Sequence, residues 1–219
     1  IDGYRTMGAL AEDDALIKLD GTGELDHRRA CRPFADNCGF TLAEASQFVI
    51  LFDDELALEL GAHIYAGVGD VFVNADGFKK SIPGPGIGNY VTVGKAMGTV
   101  RAILGDKALS ERSYMQAHGT GTPQNRVTES HIFDAMAKAF AIKDWPVAAI
   151  KAYLGHSLAC ASGDQIIASL GVWQDGVIPG IVTSKQLAED VHHDHLNFLL
   201  SHHVDDPNRM QATLINAKG

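Results

Sequence analysis

The sequence predicts an α/β fold in which helices flank a layered mixed sheet. Three observations carry this. Short apolar runs suited to buried strands recur along the chain, segments of helical period lie between them, and glycine-rich loops separate the two. Hydrophobic residues make up 46% of the 219, enough for a packed core.

In chain order, residues 1–20 read as a helix and its exit, with Tyr4, Met7, Leu10 and Ala11 on one face. The stretch LDGTGELDHRRACRPFADNCGF comes next, punctuated by Gly21, Gly23, Pro33 and Gly39, and reads as a long loop. Its length exceeds the usual connection, which points to a functional or substrate-facing role. SQFVILFD (46–53) reads as a buried strand, and AHIYAGVGDVFVNAD (62–76) as a longer one with alternating Ile64, Ala66 and Val68. SIPGPGIG (81–88) reads as a rigid loop relieved by glycine. From Asn89 the period becomes helical, with Val93, Met97, Val100 and Leu104 on one face. RSYMQAHG is the next strand, ending at His118. Ile132, Met136, Ala139 and Phe140 mark another amphipathic helix, and PVAAIKAYLG a buried strand reaching His156. A helix starts just beyond, its first turn built of Ala159, Cys160, Ala161, Ser162 and Gly163. Ile166, Leu170 and Trp173 continue its apolar face. MQATLINAKG reads as a closing strand.

A formal net charge of −9 argues against nonspecific nucleic-acid binding, which needs clustered Lys and Arg. Cys31, Cys38 and Cys160 are odd in number and without CxxC spacing, so neither a disulfide framework nor a Cys-rich zinc site is expected. A reducing cytoplasm is the natural setting. No apolar run approaches the ~20 residues of a membrane span. Ile1-Asp2-Gly3-Tyr4 lacks an initiator Met and any signal-peptide pattern, so the chain reads as a piece of a longer polypeptide.

Two histidines stand where a predicted strand gives way to a loop or helix, the place where ligand sites collect in open α/β sheets. Gly119 and Gly121, after His118, let backbone approach a ligand closely, and the hydroxyls of Thr120 and Thr122 can bond amide groups of an extended one. His156 lies at the start of a helix, whose positive dipole end disfavours imidazolium. A neutral ring there can donate one N–H to a developing oxyanion. Either histidine alone is explained as well by a structural hydrogen bond. Two such loops favour a functional pair, although spacing alone names no reaction. VHHDHLNFLLSHH holds His192, His193, His195, His202 and His203; without flanking cysteines it reads as an exposed face with no metal assigned.

QAHGTGTP resembles the EAHGTGTP motif of β-ketoacyl synthases, the condensing enzymes of fatty-acid and polyketide assembly. IKAYLGHSLACASG resembles their second signature, a Lys four residues before a Gly-His pair followed by small residues. ACRPFADNCGF is similar to the family's CRPFD…DGF loop and DGYRTMGALA to the segment before it, while DGVIPG and INAKG fall in family order.

The resemblance implies a thiolase-like layered fold of which this chain is the C-terminal half. Residues 1–45 would be the linker and loop region joining an N-terminal half. Residues 46–219 would form the C-terminal ketoacyl synthase half-domain, truncated before a final glycine-rich loop. It implies decarboxylative Claisen condensation of an acyl thioester with malonyl-acyl-carrier protein, with His118 and His156 as the decarboxylation pair. Lys151 would support the second histidine electrostatically, and Thr120 and Thr122 would bind the phosphopantetheine arm. That arm is supplied on the acyl carrier protein, so the chain needs no cofactor or metal of its own. The whole synthase would be a homodimer or part of a larger assembly, with no nucleic-acid or membrane partner.

The family's nucleophilic cysteine lies upstream of the matching segment, so it is absent here and the fragment alone is expected to be inactive. Cys31 occupies a structural position, Cys38 a shortened loop and Cys160 a small-residue site in a helix. Arg28, Arg29 and Arg32 are candidates to dock an acidic carrier protein. Departures from the family pattern are Asn125-Arg126 for Gly-Asp, Ala35 for Asp and Lys218 for an aromatic or small residue, whereas Leu158, where modular polyketide synthases carry Glu, is closer to the bacterial elongating enzymes. The alternative functions are a noncatalytic partner subunit resembling a chain-length factor and, from the His-rich stretch alone, a metal-binding module.

Overall fold

The computed structural model describes residues 1–76, 86–204, 206 and 210–218. Apart from its last three residues, which open a long helix, the loop expected at 81–88 lies outside the described residues. In chain order the elements are α1 (Asp2–Thr6), α2 (Asp13–Asp20), α3 (Asp54–Glu59), α4 (Ile87–Leu104), α5 (Asp106–Glu111), β1 (Ser113–Gln116), α6 (Pro123–Ala139), β2 (Trp145–Ala148), α7 (Lys151–Leu154), α8 (Ala161–Asp175), β3 (Val177–Ile178), β4 (Leu196–Phe198), β5 (His203–Val204) and β6 (Ala212–Ile215). Single 3-10 turns occupy His27–Arg29 and Leu158–Cys160.

The central sheet has the order β4-β2-β1-β6 and is parallel throughout. Among the described residues, antiparallel pairing is confined to the β3–β5 ribbon. Side chains alternate across the sheet. Met115 and Val147 join the core formed with Val93 and Met97 of α4 and Ile132 and Phe133 of α6. Tyr114 and Ala148 join the second core, with Val172 of α8. Both faces are covered, which is why β1 is buried along its whole length rather than alternating. Two buried aromatic side chains have their polar tips paired: Trp145 Nε1 donates to Ser113 Oγ at 3.0 Å and the Tyr114 hydroxyl to Ser169 Oγ at 3.1 Å.

Local chemistry sets the helix ends that matter for the site. Thr122 caps α6, Pro123 occupies its first turn, and Gly176 closes α8 in the left-handed conformation. Residues 30–43 thread beside the sheet's C-terminal edge. Phe34 is buried against Phe198, and Gly39 N–H donates to Gly121 O at 2.8 Å. A Cβ on Gly121 would lie 2.4 Å from the Gly39 oxygen, so the histidine loop and the CGF loop approach closely only because glycines meet there.

Four expectations change. The helix and exit expected over residues 1–20 are two short helices, because Gly8 takes a left-handed φ of 64° and releases Leu10 to bridge Phe40. PVAAIKAYLG is a strand only through Ala148, where its ladder with β1 ends, and then turns into α7. SQFVILFD and residues 62–76 run without secondary structure and without a ladder partner among the described residues. Their apolar side chains stand outward, Phe48 91% and Val73 87% exposed, because alternation favours extended backbone but a strand needs a neighbour to bond. No helix among the described residues is long and apolar enough to cross a membrane.

Candidate active site

β1 and β2 are parallel neighbours, so the loops leaving them emerge side by side at one edge of the sheet. His118 comes after β1, and His156 after β2 and α7. Their ring centroids are 5.1 Å apart with planes at 82°. Both are buried, 5% and 9% exposed.

Each backbone is anchored. His118 N–H donates to Glu129 Oε1 at 2.7 Å and Gly119 N–H to Oε2 at 2.8 Å, while Lys151 Nζ donates to His118 O at 2.6 Å. His156 donates its N–H to Thr41 O at 2.7 Å and accepts from Ala43 N at 3.0 Å. The edge of Phe40 packs on its ring, centroids 5.2 Å apart. Leu158, two residues on, holds a left-handed φ of 58°, a strained conformation for a residue with a side chain.

The rings share a second feature. His118 Nδ1 accepts the Lys218 backbone N–H at 3.3 Å, with the Lys151 ammonium 3.4 Å away. His156 Nδ1 accepts the Leu158 backbone N–H at 3.1 Å. A ring nitrogen that accepts carries no proton, so in each neutral ring Nε2 is the N–H donor. Burial holds His118 well below the usual histidine range, helped by Lys151, His156 and Lys218. Burial, then Lys151, pushes His156 down to about 4. Lys151 is itself pushed down to about 8 by burial, against the pull of Glu129. The edge therefore holds two neutral N–H donors beside one buried cation, which suits it to meet negative charge developing on one oxygen.

Thr120 and Thr122 stand on the same loop, their hydroxyl oxygens 3.0 Å apart, and Thr122 Oγ1 also accepts from Asn125 N–H as the α6 cap. Lys151 makes its hydrogen bonds to the first histidine and acts on the second through its charge. Burial pushes the Cys31 thiol up to about 11 and raises Cys38 as well, away from reactive thiolate. Cys160 is half-buried at the head of α8. The His-rich residues disperse. His192 packs on His131, His195 bonds Asp134 and His202 stacks on Tyr153; no three metal-ligating side chains converge among the described residues. Arg32 is buried in a two-pronged pair with Asp20, both bonds 2.6 Å, which takes it out of any docking surface.

Glu129 is not among the residues the sequence singles out. Its carboxylate is fully buried and also accepts from the side-chain amides of Asn125 (2.9 Å) and Asn216 (2.8 Å). The available signal was an acidic residue three and four positions before Ile132 and Phe133 on the apolar face of a helix. Arg126, at another departure from the family pattern, forks onto Asp190 at 2.8 and 3.0 Å and donates to the carbonyl oxygen of Ala35 at 3.1 Å.

Known proteins share both the sequence and the fold. The family model of the β-ketoacyl synthase C-terminal domain matches residues 65–185. The chain is 52% identical over all 219 residues to the β-ketoacyl-acyl-carrier-protein synthase FabY of Pseudomonas aeruginosa, and covers 34% of that protein. It is 30% identical over 187 residues to 3-oxoacyl-acyl-carrier-protein synthase 1 of Escherichia coli, 85% of this chain and 41% of that one. The crystal structure of the P. aeruginosa FabY, described as a noncanonical ketosynthase, superposes at a TM-score of 0.96 over 100% of this chain and 34% of its own. A type II polyketide ketosynthase in complex with its acyl carrier protein shares the fold at a TM-score of 0.73 and 24% identity, over 94% of this chain and 47% of its own. The chain thus spans about a third of the length of the FabY relative.

Proposed function

The chain belongs to the β-ketoacyl synthase family, and we propose that within the full-length protein His118 and His156 stabilise the enolate of a malonyl-type thioester as it loses carbon dioxide. The observation that carries this reading is a shared geometry: two rings 5.1 Å apart, each with a backbone N–H directed at Nδ1, which leaves Nε2–H of the neutral ring to donate.

In the proposed step the bond between the malonyl α-carbon and its carboxylate breaks and carbon dioxide leaves. The electron pair moves into the thioester, placing negative charge on the carbonyl oxygen between the two Nε2–H groups. Neither ring gives up its proton, since neutral donors held in place offer the stabilisation without reorganisation. Lys151 adds positive charge behind both rings. The enolate carbon then attacks an acyl-cysteine thioester, the thiolate leaves, and a β-ketoacyl thioester remains.

The acylated cysteine would come from outside these residues. Cys31 is too buried, Cys38 too weakly acidic, and Cys160 sits at a small-residue position at the head of α8, so residues 1–219 alone would not condense. Thr120 and Thr122 line the path of the phosphopantetheine arm carried by an acyl carrier protein. On a chain of net charge −9, Arg28 and Arg29 are the remaining cations of the docking patch, since Arg32 is buried. The full-length protein would act as a homodimer in fatty-acid or polyketide assembly.

The test is malonyl-thioester decarboxylation by the full-length protein and by His118→Ala and His156→Ala. Each variant should lose on the order of a hundredfold in kcat, the scale of one oxyanion donor. An inactive wild type would favour the noncatalytic partner instead.

A further inference from the structure

Gln165 lies in the second turn of α8 with no surface exposed. Its side-chain nitrogen sits 3.0 Å from the carbonyl oxygen of Gln116, 2.8 Å from that of Ala117 and 3.0 Å from that of Asn216. Its side-chain oxygen meets no hydrogen-bond partner among the described residues. The two amide hydrogens are therefore shared among three acceptors, and the side chain works purely as a donor.

Those carbonyls belong to the ends of β1 and β6, which lead directly into the first histidine and its partner. Ala117 immediately precedes His118. Asn216 precedes by two residues Lys218, whose N–H meets His118 Nδ1. Glu129 of α6 gathers the N–H groups of this edge, those of His118 and Gly119 and the amide of Asn216. Gln165 of α8 gathers the carbonyls just before them. The same helix begins just beyond the His156 loop. One rigid element thus adjoins the second histidine at its entry and, a turn later, grips the strand ends that aim the first.

We propose that Gln165 is a positioning residue that sets the separation of the two imidazoles and the tautomer of His118. An uncharged donor is what the place requires. A carboxylate of the same length would face three oxygens, and a thioether of the same reach would leave them without a donor. The kinetic consequence rests on the decarboxylation reading above, whereas the consequence for the tautomer does not.

The test uses the full-length protein with Gln165→Met, which keeps length and removes the donor, and Gln165→Glu, which keeps shape and replaces the donor with an acceptor. In both, kcat for malonyl-thioester decarboxylation should fall at least about tenfold while KM stays within about twofold, since misplacement by an ångström is costly to chemistry but not to arm binding. Long-range ¹H–¹⁵N spectra of histidine-labelled protein should show His118 losing its single Nε2–H pattern. A folded variant with wild-type kcat and an unchanged His118 tautomer overturns the proposal, whatever its Tm. If one variant does not fold, the other carries the test. A wild type that fails to decarboxylate while its His118 tautomer still responds to both substitutions leaves Gln165 in its role and removes the reaction instead.

Discussion

Glu129 accepts the backbone N–H of His118 on one carboxylate oxygen at 2.7 Å and that of Gly119 on the other at 2.8 Å. With the amides of Asn125 and Asn216 it meets four donors as an acceptor-only group, the arrangement in which a buried charge is compensated. Glutamine in its place turns an NH₂ toward two of those donors. Glu129→Gln should destabilise the full-length protein by about 2–4 kcal/mol, the scale of buried partners left unmet, read as a fall in Tm. A change below about 0.5 kcal/mol would match an ordinary surface site and deny Glu129 its anchoring role.

Acid should weaken the fold through the histidine pair. Both rings are held below the ~6.5 of an unfolded chain, His156 at about 4. The unfolded state binds protons that the folded state refuses. The stability is therefore full above pH ~6.5 and is lost as pH falls toward the folded value. His156 contributes at most about 3 kcal/mol of this, at about 1.4 kcal/mol per tenfold. Urea midpoints measured from pH 7 to 4.5 should fall less steeply for His156→Gln than for the wild type; equal slopes would contradict the assignment.

Lys151 gives the opposite limb. Its ammonium, pushed down to about 8, is charged at neutral pH and loses its proton just above. The decarboxylation rate should fall as pH rises through about 8 as the positive charge behind the rings disappears. Lys151→Met should lower the plateau and abolish that limb. A wild-type pH–rate profile flat from pH 7 to 9.5 would mean that the charge is not used.

Arg126 ties three segments that are distant in sequence: α6, the loop at Ala35, and Asp190. Arg126→Ala and Asp190→Ala should each destabilise, and a double-mutant cycle should give a coupling of about 1 kcal/mol, the scale of residues in direct contact. Strict additivity in chemical denaturation would mean that the fork contributes nothing.

How much of this is legible in the sequence depends on how local each feature is. β1 and the His118 loop are readable because the apolar run stops at glycines, whereas the periodicity of Ile132, Met136, Ala139 and Phe140 finds α6 without its start, which Thr122 caps and Pro123 begins. His156 is readable for the same reason, at the junction of an apolar run and a small-residue helix start. Glu129 and Gln165 are not, because their meaning lies in backbone groups brought from far along the chain. Asn216 is 87 residues from Glu129, and Gln116 is 49 from Gln165. Residues 46–53 and 62–76 fail differently: an apolar run or alternation suits a strand but says nothing about which neighbour will bond it. The break in the first helix is Gly8 taking a conformation that periodicity does not encode.

The most direct measurement is a crystal structure of the full-length protein with a stable analogue of the malonyl-thioester enolate. The proposed mechanism predicts the analogue's oxygen within about 3 Å of Nε2 on both His118 and His156, the geometry of a preorganised oxyanion site. An oxygen held instead by backbone N–H groups alone, with both rings turned away, would contradict it.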